Sequence, residues 1–368
     1  MKKILLIALE SLILLGLVHA QNGPAEKWNY YMGGSENEHA KFVLECSDGG
    51  FLLIGETRSN DGQVSGNHGS YDAWIVKRKS DGTSDWKYCY GTKGLEYAFQ
   101  AVEVNDGYVI AGEKEYQAWV FKISKSGSFL WEQSYPSSNG DISSFHAIIK
   151  KNDGSFLAGG YTNRYNARIM NLSASGSLLS SALLSMGRSI EEIRLPSDGS
   201  ILVLGNQDQN EPGCFGGELP ARGDVWIAKL TQSYNTIWNK YYGGTTYDVF
   251  VDAEINANNE IYFIGRTYCK GQITGTNNIG ANWPDARFTW LAKANSSGTL
   301  LNAKIVSSNP FYQDLGFDYN CVTVDCKGAP VIGGISGSLL GSYPSIEKWK
   351  ADLSDIEFAN IVLQNQMV

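Results

Sequence analysis

The chain has 368 residues, with 30 basic against 38 acidic side chains, 41 glycines, 9 prolines and 43% hydrophobic residues. Glycine at about 11%, against a usual figure of roughly 7%, means many tight turns, and the hydrophobic content is enough for a large core. A net charge of -8 argues against a nucleic-acid binder, which needs clustered Lys and Arg, and the composition excludes a disordered tail and a disulfide mini-protein.

In chain order the first element is a leader. Lys2 and Lys3 precede an apolar run over residues 4–18, broken by Glu10 and Ser11, and Val18-His19-Ala20 supplies small residues where a signal peptidase reads. The run is shorter than the roughly 20 residues of a membrane span. This predicts a signal peptide over 1–20, cleavage before Gln21, and a mature chain over 21–368. The location it implies is secreted, periplasmic or cell-surface, with no transmembrane span left.

Internal repeats come next. Residues 40–57, 98–113, 146–162, 190–206, 251–267 and 320–336 each read as two apolar runs around an Asp-Gly or Asn-Asn type of turn, the signature of a β-hairpin. The second run closes on glycine at Gly55, Gly112, Gly159, Gly205, Gly265 and Gly333, where a small residue lets neighbouring strands or blades approach. A second hairpin follows, opening on Trp74…Lys77, Trp119…Lys122, Trp226…Lys229 and Trp290…Lys293; the third copy has Arg168…Asn171 and the sixth shifts its tryptophan to Trp349. After a Gly or Asn turn, Trp86, Trp131 and Trp238 open the last strand, and an orphan copy stands at Trp28. Four strands per unit, at roughly 45–63 residues between equivalent positions, mark a propeller blade. The predicted fold is a single all-β domain, a six-bladed β-propeller of four-stranded antiparallel blades, with seven blades as the alternative. The orphan strand over residues 28–34 would close the ring beside the last blade, which removes exposed edges.

With those residues in place, the chain resembles the secreted bacterial propeller-repeat proteins written W-x-x-x-Y-G-G, D-G-G-Y/F, D-x-W-x-x-K, G-x-x-x-W. The resemblance covers about residues 27–360 and is best over 28–91. The G-x-x-x-W turn is also similar, less specifically, to the tryptophan-docking repeats of quinoprotein-like propellers. The resemblance implies an exported propeller and no single substrate.

Propeller geometry puts the second-to-third-strand loops and the inter-blade segments on one face. Length variation concentrates there, at residues 58–71, 207–223, 268–287 and 307–319, so this long-loop face is the expected functional one. Three residue sets lie on it. Glu38, Glu96, Asp248 and Asp318 precede the innermost strands; turned to the channel mouth they would offer oxygen ligands to Ca²⁺ or an acid/base pair, and turned to nearby backbone they would be strand-start caps. Asp72, Asp224 and Asp285 precede the third strand, where an Asp anchors a loop end or supplies one of a glycosidase's carboxylates. His68, Tyr71, Tyr247, Trp283 and Tyr312, with Asp72, are candidate ligand contacts, since aromatics among Asn, Asp and Gly suit sugar faces. His39, His68 and His146 are too scattered in sequence to mark a metal site.

Six cysteines in an exported chain raise disulfides. Cys214 and Cys269, in the long loops of adjacent blades, are the plausible bridge, while Cys46 and Cys89 sit on non-adjacent strands and are expected to stay as thiols. The sequence therefore points to a binding module for carbohydrate or a protein partner. A polysaccharide hydrolase or lyase using carboxylates of the same face is the competing reading, and calcium is the only cofactor suggested.

Overall fold

The computed structural model describes residues 32–137, 140–163, 166–207, 224–243, 247–268, 287–309, 317–325, 327–338, 341–349, 353 and 356–359. The leader, the Cys214–Cys269 pairing, Trp283, Asp285, Tyr312 and all but residues 32–34 of the orphan strand lie outside them. Tyr247 and Asp318 fall on the strands Tyr247–Ile255 and Phe317–Val324, but their side chains also lie outside the described set.

The protein is an all-β propeller of four-stranded antiparallel blades. Among the described residues the strands form four-stranded sheets, six in number, each with its strands in sequential order; none supplies the seventh of the alternative reading. A strand buried on both faces needs apolar residues throughout, and the middle strands Phe51–Thr57, Asp72–Arg78 and Val225–Leu230 are buried along most of their length. Successive sheets pack face to face. Leu52 and Ile75 of the first meet Ile110 and Phe121 of the second. The same layering continues through Val120 with Phe156, Ile169 with Trp226, Ile227 with Phe263, and Ile264 with Ile332.

Two repeated devices account for the sequence motifs. The Lys of Trp-x-x-Lys reaches the acid of its own sheet's first turn: Lys77 Nζ to Asp48 at 2.8 Å, Lys122 to Asp106 at 2.7 Å, Lys229 to Asp198 at 2.6 Å and Lys293 to Glu260 at 2.8 Å. The Trp and Tyr of W-x-x-x-Y hold the outer turn of the next sheet. Trp86 Nε1 donates to Lys125 O at 2.9 Å and Tyr90 Oη to Gly127 O at 2.5 Å. Tyr135 donates to Gly176 O, and Trp238 and Tyr242 donate to Ser296 O and Gly298 O at 3.2 and 2.7 Å. At the third sheet Ser180 replaces the tryptophan, and the direction reverses: Tyr234 reaches back to Ser180 at 3.0 Å and Tyr241 to Met186 O at 2.9 Å.

Each innermost strand carries one extra residue against its partner: Lys41, Phe99, His146, Glu191, Val251 and Asn320. Such bulges re-aim side chains and recur near functional sites. They also explain the strand glycines. A β-carbon on Gly112 would stand 2.0 Å from Tyr97 O, and Gly55, Gly160 and Gly205 face the carbonyls of His39, Ser144 and Ser189 in the same way. Gly159, expected to be the closing glycine of the third unit, instead faces Ile190 and Ile193 of the next sheet. Gly112→Ala is expected to cost about 2–3 kcal/mol, because the obstacle is backbone; an unchanged urea midpoint would show that the bulged strand yields.

Cys46 and Cys89 are thiols, as expected, and burial pushes the Cys89 thiol up to about 12, away from the thiolate form. No helix among the described residues is long and apolar enough to cross a membrane.

Candidate functional site

Of the four acids read either as channel-mouth ligands or as strand-start caps, Glu38 and Glu96 turn to groups beside their own strand starts. Glu38 accepts from Gly34 N at 2.9 Å and Thr57 Oγ1 at 2.7 Å; Glu96 accepts from Thr92 N at 3.0 Å and Thr92 Oγ1 at 2.7 Å. Burial would raise the Glu38 carboxyl, but hydrogen bonds from Ser59, Gly34 and Thr57 outweigh it and hold it below the usual range. Glu96 and Asp248 are fully buried. No group of three or more His, Cys, Asp or Glu side chains suited to a metal occurs among the described residues. The contacts of Glu38 and Glu96 fit the capping role described for these positions.

Asp72, expected as a ligand contact, is wholly buried. Its Oδ2 takes the His68 ring Nδ1 at 2.6 Å and His68 N at 3.2 Å. Its Oδ1 and Glu96 Oε2 both lie within 2.7 Å of the place a β-carbon on Gly91 would occupy, and Asp224 with Asp248 repeats this over Gly243. Burial raises the carboxyls of Asp72 and Asp224. His68 is half-exposed and borders a cleft of about 420 Å³ between the first two sheets, beside Tyr88, Phe129 and the Lys114–Glu132 pair. Tyr71 packs against Tyr97 with ring centroids 5.6 Å apart, under Arg58. His68, Tyr71 and Asp72 are thus neighbours, with only His68 on the cleft.

A different set gathers where the innermost strands begin, at the long-loop end of the axis. The bulge residues of the second, third and fourth sheets touch in series: the Phe99 ring lies 4.3 Å from the His146 ring, and His146 Nδ1 lies 2.5 Å from Glu191 Oε2. Glu191 also accepts from Ser189 Oγ at 2.5 Å and Asn206 Nδ2 at 3.4 Å. The Tyr161 ring stands edge-on to His146 at 5.4 Å, and its hydroxyl donates to Glu113 Oε2 at 3.5 Å. Beside them, His39 and Lys41 each lie 3.1 Å from Glu56 Oε1.

Electrostatics bind this set together. Burial alone would raise Glu191, but the His146 imidazolium, Ser189 and Asn206 draw it down to about 2. Burial would lower His146, and Glu191 with Glu113 overcome it, so His146 keeps its proton above the usual imidazole range. Glu113, desolvated first and foremost, is raised. The arrangement offers one imidazolium–carboxylate couple, one carboxyl inclined to hold a proton, and aromatic walls.

Under this set a buried polar bar crosses between sheets. Gln100 Nε2 donates to both Glu192 oxygens at 3.2 and 3.0 Å, and its Oε1 accepts from Ile148 N at 2.6 Å. Arg194 pairs with Glu192, donates to Ala253 O at 2.8 Å and to Glu254 at 3.3 Å, while Asp252 Oδ2 accepts from Val322 N at 2.8 Å.

The sequence reading missed the axial set because its members are far apart in the chain. A signal was present: a polar residue directly follows the strand glycine at Glu56, Glu113, Tyr161, Asn206 and Arg266, inside runs that are otherwise apolar.

No protein-family model and no curated protein matches this chain. Among solved structures it is similar to a protein from Lactobacillus plantarum, with TM-score 0.52 and 12% identity over 89% of this chain and 86% of that one. It is also similar to the WD40 domain of Neurospora crassa Pan2, with TM-score 0.50 and 10% identity over 83% of this chain and 88% of that one. At such identities the likeness speaks for the propeller fold alone.

Proposed function

We propose that the protein is an exported, six-bladed β-propeller binding module that takes carbohydrate at the long-loop end of its axis. The observation that carries this reading is the mixed lining of that end. Phe99, Tyr97 and Tyr161 supply rings, and Glu113, Glu191 and His146 supply acceptors and donors held in fixed orientation by partners of their own. A sugar needs both, an apolar face for its C–H surface and directed polar groups for its hydroxyls. The predicted leader supports this reading, since export would carry the module to where such ligands occur.

The competing reading, a hydrolase or lyase, draws on the same His146–Glu191 couple, which could move a proton. A glycan array probed with the mature chain, with and without Ca²⁺, tests the proposal. Binding to a defined set of glycans is expected. A dependence on Ca²⁺ would return the acidic strand starts to consideration, and cleavage of the bound glycans would favour the enzyme. An array blank in both conditions overturns carbohydrate binding and leaves a protein partner.

A further inference from the structure

The outer strand of the third sheet, Leu178–Leu184, differs from the other described outer strands. It carries no charge and no aromatic ring. Leu178, Leu179 and Leu183 are 50%, 57% and 61% exposed, and the strand ends its sheet, so its outer edge has no partner strand among the described residues. Edges of this kind are usually blunted by charge. Ser180 stands where the repeat elsewhere places Trp86 and Trp131, and its hydroxyl is met by Tyr234 from the neighbouring sheet.

The sequence LLSSALL also reads nearly the same in both directions about Ser181. In an antiparallel pairing of two copies, Leu178 falls opposite Leu184, Leu179 opposite Leu183, and Ser181 opposite itself. The same operation on Ser84–Tyr90 sets Lys87 against Lys87, and on Phe129–Tyr135 sets Glu132 against Glu132, so those edges repel their own kind. The extra residue Leu179 repeats a register shift found at the start of the other outer strands, and Ser180–Leu184 keeps a regular ladder with the strand behind it.

We infer that the third sheet's outer edge binds a second copy of this chain, strand Leu178–Leu184 pairing antiparallel with its equivalent across a two-fold axis. The pairing satisfies the edge N–H and C=O groups and covers the exposed leucines. Because the contact is isologous and each chain has one such strand among the described residues, it closes at a dimer and does not propagate.

Sedimentation velocity of the full chain over a dilution series tests this. A monomer–dimer equilibrium is expected. Ser181→Lys, which sets two ammonium groups on the axis, should weaken the dimer roughly five- to tenfold, with circular dichroism and thermal midpoint unchanged. Leu179→Lys and Leu183→Glu should each weaken self-association. Mixing the two variants should restore a heterodimer, because the ammonium introduced in one copy then faces the carboxylate introduced in the other. A wild-type chain that stays monomeric throughout overturns the inference, as does a dimer indifferent to Ser181→Lys or a mixture that fails to restore association.

Discussion

Arg194→Met is expected to destabilise the protein by about 3 kcal/mol at neutral pH, the cost of leaving a buried carboxylate without its partner. Arg194 is the one cation bonded to Glu192 and Glu254 among the described contacts, and it also holds Ala253 O. Burial raises Glu192 even with Arg194 present, and it raises Asp252 to about 7, with the Glu192 charge adding to the effect. A carboxyl whose folded pKa is raised stabilises the fold below its ordinary value and loses that contribution as pH climbs through the folded one. For Asp252 the window runs from its ordinary 3.8 to about 7, so stability should fall across it in the wild type. The fall should be steeper in Arg194→Met. Asp252→Asn should flatten it, since an amide oxygen still accepts from Val322 N. Urea unfolding at several pH values reads all three chains, and a wild-type midpoint for Arg194→Met at neutral pH would show that no buried carboxylate is left unpaired there.

The second large effect concerns the axial couple. His146→Ala should weaken glycan binding by one to two orders of magnitude, the scale of a lost charge-assisted hydrogen bond. Glu191→Gln should do nearly as much, because it frees the imidazole from the orientation that Glu191 and Phe99 impose. The pH dependence separates these roles. Glu191, lowered to about 2, contributes above its ordinary 4.5 and loses its effect only as pH falls towards 2. His146, raised from 6.5, contributes below that value and loses its effect as pH rises through its higher folded pKa. The stability difference between wild type and Glu191→Gln should therefore be largest between 4.5 and 6.5 and shrink on the alkaline side. A difference independent of pH would mean a neutral hydrogen bond in place of the ion pair, and binding that survives His146→Ala would move the ligand elsewhere on the long-loop face.

Much of the architecture was legible because it is periodic. A turn acid, a Trp-x-x-Lys strand and a closing W-x-x-x-Y recur, and each proves to be one contact made several times: Asp48 with Lys77, Asp198 with Lys229, Trp86 and Trp238 with the next turn. The axial set lies at the end where the long loops were expected. The residues were not. Glu38 and Glu96 share a repeat position, which read either as a ring of ligands or as strand-start caps, and their contacts fit the caps because a repeated position more often serves a repeated structural need. His146 and Glu191 were set apart by a one-residue bulge, which no residue type announces. Sequence distance hid their contact, since each belongs to a different sheet and meets the other only around the axis.

The clamp formed by W-x-x-x-Y has a bearing on how the chain is built. At the joints after the first, second and fourth sheets the gripping side chains belong to the earlier sheet and the gripped turn to the later one. A polypeptide emerging amino-terminus first thus presents a finished socket before the segment that fills it arrives, which suits vectorial folding by units. The joint after the third sheet runs the other way, through Tyr234 and Tyr241, and must wait for the fourth sheet. Across that same joint the His146–Glu191 couple and the Gln100–Glu192 bar tie the fourth sheet to the sheets before it.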